Sequence, residues 1–412
     1  MKAPARSTPA KGLLSAREAA AFLDVKAATL YSYVSRGLLA SVPGTRGPSR
    51  LYARADVERL RARHVARSGH GAVAAGALRF GEPVLESALT AIDERGHRYR
   101  GHSALELAAG GARLEAVAEL LWTGELPASP ADFPSVKRLP AVGRFVPRGA
   151  APLAVLSLVV SALALADPFR FDAPPDAELA RARRLVRLLA SAVALAFDAR
   201  RVTPSLREPS VAGALAVALG ARPTARTRAA LDRALVLSAD HELNPSSFAA
   251  RVAASTGADL YAALGAALGA LSGPEHGGAC ARVEALVAEA GSPARAATVI
   301  EERTRRGDPL PGFGHPLYPK GDPRARMLLA QTAPRTRAAR TLAALVQRMK
   351  TLRREPPTND VALVATALSL GLPAGSASAL FAVGRAAGWV AHVLEQRAAG
   401  FILRPRAEYV GR

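Results

Sequence analysis

Apolar residues at helical spacing run through most of the chain, and short polar or Gly/Pro-rich breaks divide them into segments. Near the start, Ser15 and Glu18 have the spacing of a helix capping box, and an apolar run over 19–23 follows them. The stretch KAATLYSYVSRG predicts a second helix that stops at Gly37. A turn, a short β segment with basic residues and a further helix from Asp56 complete a small module.

The rest of the chain shows an almost continuous helical pattern that Pro and Gly interrupt at intervals. The small, Gly/Ala-rich stretch ARSGHGAVAAGAL separates it from the module and is typical of a linker. No long strand-like run and no internal repeat is present. The pattern therefore predicts an all-α body preceded by a small module, with the module at 1–66, the linker at 67–79 and the body at 80–412.

Two uncharged runs are long enough to raise the question of a membrane span. The run over 149–166 is near the lower limit of length, but Pro152 comes early in it and a charged, Pro-rich stretch follows. The run over 361–384 is interrupted by Gly371 and Pro373. We expect a buried core helix in the first case and two buried helices with a turn in the second, with no contact to a membrane.

Charge separates the module from the body. The formal net charge of the 412 residues is +21, but only six of the 55 basic residues are lysine, and such an arginine bias often reflects genome composition. The first 72 residues hold 13 basic against four acidic residues, so positive charge is several times denser there than beyond. One cysteine, Cys280, excludes an intramolecular disulfide, and the N-terminal residues lack the apolar region of a signal peptide. We expect a cytoplasmic protein.

Helix, tight turn, helix and basic hairpin is the layout of a winged helix-turn-helix. The module resembles the DNA-binding domains of MerR-type regulators and excisionases. In such domains the second helix enters the major groove and the wing touches the DNA backbone. The resemblance directs Thr29, Ser32, Ser35 and Arg36 toward bases, and Arg46 and Arg50 toward phosphates. A small helical module that binds protein, or a degenerate relic, is the alternative.

Three of the eight histidines stand in Gly-, Pro- or Asn-marked stretches: His241 in HELNPSSF, His276 in GPEHGGA and His315 in GFGHPLYPKGDPR. Asp360 follows in EPPTNDVALV, and the arginines Arg324, Arg385 and Arg404 belong to the same half of the chain. Imidazoles, a carboxylate and guanidinium groups together indicate acid–base chemistry on an anionic substrate.

Other interpretations of these residues stay open at this point. Three histidines can ligate a metal, although neither an HExxH motif nor a short paired spacing is present, so we expect no metal. Each histidine can also fill or cap a turn. Asp360 precedes an apolar helical run. From the local sequence alone, it is better explained as a helix cap.

From about residue 80 onward the chain resembles the citrate synthase family. The matching segments occur in family order, and they are ESALTAIDERGHRYRGHSALELA, HELNPSSFAARVAASTGADLYAALGAALGALSGPEHGGA, PGFGHPLYPKGDPRA, FAVGRAAGWVAHVLEQ and RPRAEYVG. The resemblance implies an all-helical fold with a large and a small domain, the small one at roughly 277–370. It also implies a homodimer that condenses acetyl-CoA with oxaloacetate in the cleft between the domains.

The resemblance further implies roles for individual residues. His276 matches the histidine that holds the thioester oxygen, and Asp360 the base that removes a methyl proton, a match that overrides the capping interpretation. His315 matches the histidine that polarises the oxaloacetate ketone. His241 matches another oxaloacetate ligand, and the arginines match carboxylate clamps, with Arg404 donated by the neighbouring subunit. The glycines around His276 would let the backbone run close to bound substrate.

The chain departs from the family pattern at positions that bear on CoA. Cys280-Ala281 replaces a common Asn-Glu after GPEHGGA, and Glu275 stands where an apolar residue is common. In the loop that we expect to bind CoA, Pro319 replaces a usual basic residue, and Lys320 comes one place later. The candidate CoA-binding residues of this loop are Pro311, Gly312, Phe313, Gly314 and Lys320.

The leading hypothesis is an enzyme that condenses acetyl-CoA with oxaloacetate, with acetyl-CoA as cosubstrate and no bound cofactor. A 2-methylcitrate synthase that uses propionyl-CoA differs by one methylene and is the alternative enzyme. A DNA-binding regulator that senses metabolites on the same scaffold is the alternative class.

Overall fold

The computed structural model describes residues 13–407, with gaps at 24, 36–37, 44–49, 55, 59, 61–84, 94, 130–132, 135, 172–173 and 354, and also Tyr409 and Gly411. The predicted linker at 67–79 lies outside the described residues. By its contacts the chain divides into two compact units. One comprises Met1–Glu86 with Pro405–Arg412, and the other comprises Ser87–Arg404.

In its described residues, the N-terminal unit has two helices, further helical residues at 54, 56–58 and 60, and a small antiparallel sheet. Its elements are β1 (Leu13–Ser15), α1 (Ala16–Leu23), α2 (Ala27–Ser35), β2 (Val42–Pro43) and β3 (Arg50–Ala53), with strand order β1-β3-β2. The predicted capping box is present, because the Ser15 N–H donates to Glu18 Oε2 at 2.8 Å and the Glu18 N–H donates to Ser15 Oγ at 3.3 Å. Leu30, Tyr52 and Val57 are fully buried in the core of this unit.

The large unit opens with strands, where the sequence pattern predicted helix. Its sheet comprises β4 (Thr90–Asp93), β5 (Gly96–Tyr99) and β6 (His102–Ser103), paired antiparallel in that order. Gly96 and Gly101 have φ values of 127° and 89° and make the two turns. Strands this short give too little periodicity to be recognised in a sequence, so the almost continuous helical pattern did not reveal them.

Sixteen α-helices follow this sheet in the part of the chain that the structure describes. They are α3 (Ala104–Ala109), α4 (Leu114–Thr123), α5 (Pro152–Ala166), α6 (Pro175–Ala192), α7 (Ala194–Phe197), α8 (Val202–Leu206), α9 (Val211–Ala218), α10 (Ala225–Ser238), α11 (Pro245–Ser255), α12 (Leu260–Leu271), α13 (Ala279–Ala290), α14 (Ala296–Arg306), α15 (Pro323–Leu329), α16 (Arg337–Arg348), α17 (Asn359–Ser369) and α18 (Ser376–Ala399). Short 3₁₀ turns occur at Gly143–Phe145, Ala199–Arg201 and Pro293–Arg295, and a π turn at Met349–Arg353.

Helix α18 is the central element of the core. It is long and apolar enough by composition to cross a membrane, but 94% of its apolar window is buried inside the chain. It packs against α10, α11, α4 and α17. The predicted pair of helices at 361–384 is confirmed by α17 and α18, and Gly371 and Gly375 in the turn between them have φ values of 68° and 89°.

The predicted core helix at 149–166 is only partly buried. Val155, Leu156 and Val159 of α5 face the core, whereas Leu165 at its end is 84% exposed. A run of uniformly apolar residues has no polar stripe to show which side faces solvent, so the sequence could not predict this exposure.

Candidate active site

The three histidines come from three different connections of the large unit. His241 follows α10, His276 closely precedes α13, and His315 lies in the loop before α15. Asp360 lies in the first turn of α17. Residues far apart in sequence are thus presented at the ends of helices of the same unit.

Two of these histidines and a tyrosine form one aromatic cluster. The ring centroids of His241 and His315 are 5.5 Å apart, and His241 Nε2 is 2.9 Å from the hydroxyl of Tyr318. Burial, reinforced by the charge of Arg324, lowers the pKa of both imidazoles. Both rings are therefore neutral at pH 7, which suits hydrogen bonding to a polar substrate.

His97 on β5 extends the cluster and was not predicted. Its ring centroid is 5.8 Å from that of His241. Its Nε2 lies 2.9 Å from the Tyr99 hydroxyl, which donates its proton to the Val236 carbonyl at 2.7 Å, so Nε2 must be the protonated nitrogen of His97. Burial lowers the pKa of His97 to about 3. Its buried Nδ1 accepts no hydrogen bond from any described residue.

Arg324 lies beside this cluster with its own carboxylate partner. Its Nε and Nη2 donate to the two oxygens of Asp322 at 3.0 and 2.8 Å, and its guanidinium lies 5.5 Å from the centroid of the Tyr318 ring. Burial alone would lower the pKa of Arg324, but Asp322 raises it above its usual value. Asp322 Oδ2 also accepts the N–H of Asn359, so the arginine is tied to the first turn of α17.

Arg385 reaches the site from α18. Its Nε donates to the Ser238 carbonyl at 2.7 Å, and its guanidinium lies 4.9 Å from the centroid of the Phe381 ring. Burial lowers the pKa of Arg385 to about 10, so it remains a cation at pH 7. The Ser238 hydroxyl accepts from Asn359 Nδ2 at 3.2 Å, and Ser238 therefore links Arg385 to the residue before Asp360.

His276 is held by Ser246. Its Nε2 lies 2.8 Å from Ser246 Oγ, which also accepts from Trp389 Nε1 at 3.0 Å and lies 2.7 Å from Asn244 Oδ1. The single hydroxyl proton goes to either Asn244 or His276, and this choice decides which nitrogen of His276 carries its proton. Burial, with the charge of Arg385, lowers the pKa of His276 to about 3, so the ring is neutral.

The glycines beside His276 serve the turn itself. A Cβ on Gly277 would lie 2.5 Å from Leu271 Cγ, and one on Gly278 would lie 2.7 Å from the Gly273 carbonyl oxygen. The turn itself therefore requires these glycines, because the backbone returns closely onto the end of α12, and their approach to a substrate stays a prediction. Glu275 is 89% exposed at its side chain and pairs with Arg282 at 2.7 Å, so the unusual carboxylate points into solvent.

Asp360 accepts hydrogen bonds from side chains and caps no helix. Its Oδ1 is 3.4 Å from Cys280 Sγ, and its Oδ2 accepts from Thr358 Oγ1 at 3.1 Å. Burial raises the pKa of Asp360, while the two donors act in the opposite direction. Burial and the neighbouring carboxylate raise the pKa of Cys280 well above its usual value, so the thiol keeps the proton that it donates.

The proposed CoA loop contacts the segment that leads into α17. The Thr358 N–H donates to the Gly312 carbonyl and the Gly314 N–H donates to the Pro356 carbonyl, both at 2.9 Å, and Phe313 pairs with Pro357 as a β-bridge. Pro311 is half-buried and Lys320 is exposed. The loop and Asp360 are thus connected through the backbone.

The remaining candidates lie elsewhere. Arg404 is exposed and forms no ion pair with a described residue, so the chain's own contacts do not bring it to the cluster. Thr29 and Ser32 are partly exposed on α2, and Arg50 donates to Ser41 Oγ at 2.7 Å. Arg36 and Arg46 lie outside the described residues.

Sequence reasoning missed the residues that support the site: His97, Tyr318, Asp322 and Ser246. All four occur inside the family-matching segments quoted above, and their place in those segments already indicated that they lie near the site. Within the described part of the chain, no group of three or more His, Cys, Asp or Glu residues is arranged to hold a metal ion.

Comparison with known proteins decides the family. Residues 79–406 match the sequence model of the citrate synthase C-terminal domain, and residues 13–65 match that of a helix-turn-helix domain. The chain belongs to the citrate synthase family. The resemblance inferred from the motifs and the all-α fold with a helix-turn-helix module are therefore confirmed.

Relatives and solved structures agree with this assignment. Citrate synthase of Haloferax volcanii is 33% identical over 355 residues, which cover 80% of this chain and 93% of that protein. A 2-methylcitrate synthase of Mycobacterium tuberculosis is 31% identical over 334 residues, covering 76% and 84%. Citrate synthase of Thermoplasma acidophilum, solved with carboxymethyl coenzyme A and oxaloacetate, superposes with a TM-score of 0.72 at 27% identity, covering 82% and 96%. This citrate synthase family member is thus an enzyme of the citrate synthase type.

Proposed function

We propose that the chain condenses acetyl-CoA with oxaloacetate to give citrate and CoA. The observation that carries the proposal is Asp360. It is a partly buried carboxylate held by Cys280 and Thr358, and it belongs to the same unit as neutral imidazoles and two buried arginines. A base of raised pKa beside hydrogen-bond donors is what abstraction of a proton next to a carbonyl requires.

Enolisation of the thioester is the first step. Asp360 removes a methyl proton of acetyl-CoA, and the electrons move to the thioester oxygen. His276 donates a hydrogen bond to that oxygen from Nδ1, in the tautomer that results when the Ser246 hydroxyl turns its proton from Asn244 Oδ1, its acceptor at 2.7 Å, to His276 Nε2. Because His276 has a pKa of about 3, it acts as a neutral donor.

Carbon–carbon bond formation follows at the ketone of oxaloacetate. The enol carbon attacks the ketone carbon while His315, the acid partner, donates a hydrogen bond to the ketone oxygen. That oxygen ends as a hydroxyl, and the proton that Asp360 removed from the methyl group balances the one it gains. His241 binds oxaloacetate, and Arg324 and Arg385 hold its carboxylates through charge-assisted hydrogen bonds. Arg404 of a second subunit would complete the clamp in a homodimer. Water then hydrolyses the citryl thioester and releases CoA.

Thiol release tests this proposal. Purified full-length protein receives oxaloacetate with acetyl-CoA or, in a parallel series, with propionyl-CoA, and His276→Ala serves as the blank. We expect release that the substitution abolishes, with the acetyl thioester turned over faster. Faster release from propionyl-CoA would make the enzyme a 2-methylcitrate synthase. No release from either thioester would refute the condensing activity.

The N-terminal helix-turn-helix favours a second function, DNA binding. We propose that residues 1–66 form a DNA-reading module, joined by 67–79 to a catalytic body at 80–412 whose small subdomain spans roughly 277–370. The density of positive charge in the first 72 residues supports this, as does a second helix, α2, that is followed along the chain by the antiparallel strands β2 and β3. Thr29, Ser32, Ser35 and Arg36 would face bases, and Arg46 and Arg50 would meet phosphates. We expect the protein to act in the cytoplasm.

A mobility-shift titration of the full chain across salt concentrations tests the DNA proposal. We expect weak binding that falls steeply with salt, and Arg50→Gln should reduce the salt slope by about one. Arg295→Gln, an exposed arginine of the large unit, is the control with the same loss of charge. Absence of binding at low salt would contradict the proposal, as would an equal loss in both variants.

A further inference from the structure

A second cationic site lies away from the proposed active site. Helix α10 places Arg226, Ala230 and Arg233 on one face, at positions i, i+4 and i+7. This face lines a cavity of about 110 Å³ together with the C-terminal ends of α15 and α17 and the turn that carries Arg335. Three arginines from two segments thus line one cavity.

These arginines have no counter-charge among the residues that the structure describes. No acidic residue of that set lines the cavity, and none of the three arginines forms an ion pair within it. Arg228, on another face of the same helix, pairs with Glu208 at 2.7 Å. The Nε of Arg233 is buried and has no hydrogen-bond partner among the described residues. A buried, unpaired donor of this kind costs free energy unless water or a ligand accepts from it.

The lining favours an oxyanion. Guanidinium groups match the geometry of phosphate oxygens and donate in pairs. Thr332 and Ser369 also line the cavity. A cavity of about 110 Å³ is smaller than a volume of about 150 Å³, which accommodates benzene, so it has room for one phosphate group but not for a coenzyme. Arg226 and Arg335 are exposed and mark an open side, where the rest of a metabolite would extend.

We propose that this cavity binds the phosphate group of a small phosphorylated metabolite. The site is separate from the proposed active site, because Asp360 lies in the first turn of α17 and the cavity is lined by Thr366, Ser369 and Leu370 at the other end of that helix, about 9–15 Å away along its axis. It connects α10 to the helices that begin beside Arg324 and Asp360. Binding there does not depend on the condensing activity.

Calorimetric titration with inorganic pyrophosphate at low ionic strength tests the site in the full chain. We expect one site in the parent protein and a loss of affinity of about tenfold or more in Arg233→Gln, since a charged donor is removed. Arg226→Gln, on the exposed rim, should weaken binding as well and is not expected to disturb folding. Arg295→Gln should bind like the parent.

Two further titrations distinguish this cavity from a different binding site and a different anion. Lys320→Gln, in the proposed CoA loop, should keep full pyrophosphate affinity. Loss of pyrophosphate binding in this variant would assign the binding site to that loop and overturn the proposal. With oxaloacetate present to occupy the proposed carboxylate clamps of the active site, malonate should bind more weakly than pyrophosphate. Equal binding of malonate would overturn the assignment to phosphate, and unchanged binding in both Arg233→Gln and Arg226→Gln would overturn the site.

Discussion

At the scale of single residues, the most specific feature of the chain is the thiol beside Asp360. Cys280 is fully buried and its Sγ lies 3.4 Å from Asp360 Oδ1. Burial raises the pKa of Cys280, so the thiol donates to the carboxylate and does not compete with it for charge. A donor to a carboxylate favours the ionised form and lowers its pKa. The residue that departs from the family pattern thus adjusts the proposed base.

Substitution of Cys280 should therefore change the pH profile. Cys280→Ala removes a donor, so the pKa of Asp360 rises and less of it is ionised at a given pH. The acidic limb of kcat/KM, where activity falls as the base becomes protonated, should move to higher pH. Cys280→Ser keeps a hydrogen-bond donor to Asp360, so the acidic limb of its kcat/KM profile should not move to higher pH. The pH dependence of thiol release measures both, and a limb that stays in place in Cys280→Ala would contradict the role.

At the scale of elements, a short backbone contact positions Asp360. The loop with Gly312 and Gly314 pairs with residues 356–358, immediately before α17. Gly312 has a φ of 85°, and a Cβ there would lie 2.6 Å from the Cγ2 atoms of Val283 and Val361. Gly314 has a φ of 74° with no atom within 4 Å of such a Cβ. Both glycines therefore have a left-handed backbone conformation, but only Gly312 is packed so tightly that a side chain would clash.

This difference predicts unequal costs of two alanine substitutions. Gly314→Ala should lower the free energy of unfolding by about 1–2 kcal/mol, the cost of a left-handed residue with a side chain. Gly312→Ala adds overpacking against two valines and should lower it by about 2–5 kcal/mol. Urea denaturation measures both. Equal losses would show that the valines yield freely and that the loop is not tightly packed against them.

At the scale of the whole molecule, much of the fold could be predicted from the sequence. The capping box at Ser15 and the two helices around Gly371 depend on local signals that the sequence displays directly. The family motifs singled out three histidines, one aspartate and three arginines as site candidates. Within the large unit, contacts link His241 to His315, Arg324 to the first turn of α17, and Arg385 to Asn359 through Ser238.

What the sequence could not predict depends on partners distant in the chain. The strands around His97 are too short to leave a periodic pattern, and the role of that imidazole depends on Tyr99 and His241. Asp322 is an ordinary helix-capping residue by position, yet it also holds Arg324 and the first turn of α17. Local patterns contain no information on such pairings, because the packing of separate helices creates them.

The central claim is that Asp360 removes the proton and does not merely hold the site together. Asp360→Asn keeps the size and hydrogen-bonding shape of the side chain but cannot accept a proton. Calorimetry with oxaloacetate, together with thiol release from acetyl-CoA, separates binding from chemistry in this variant. We predict that oxaloacetate affinity is largely retained while turnover is abolished. Lost oxaloacetate affinity with persisting turnover would contradict the assignment of Asp360 as the base.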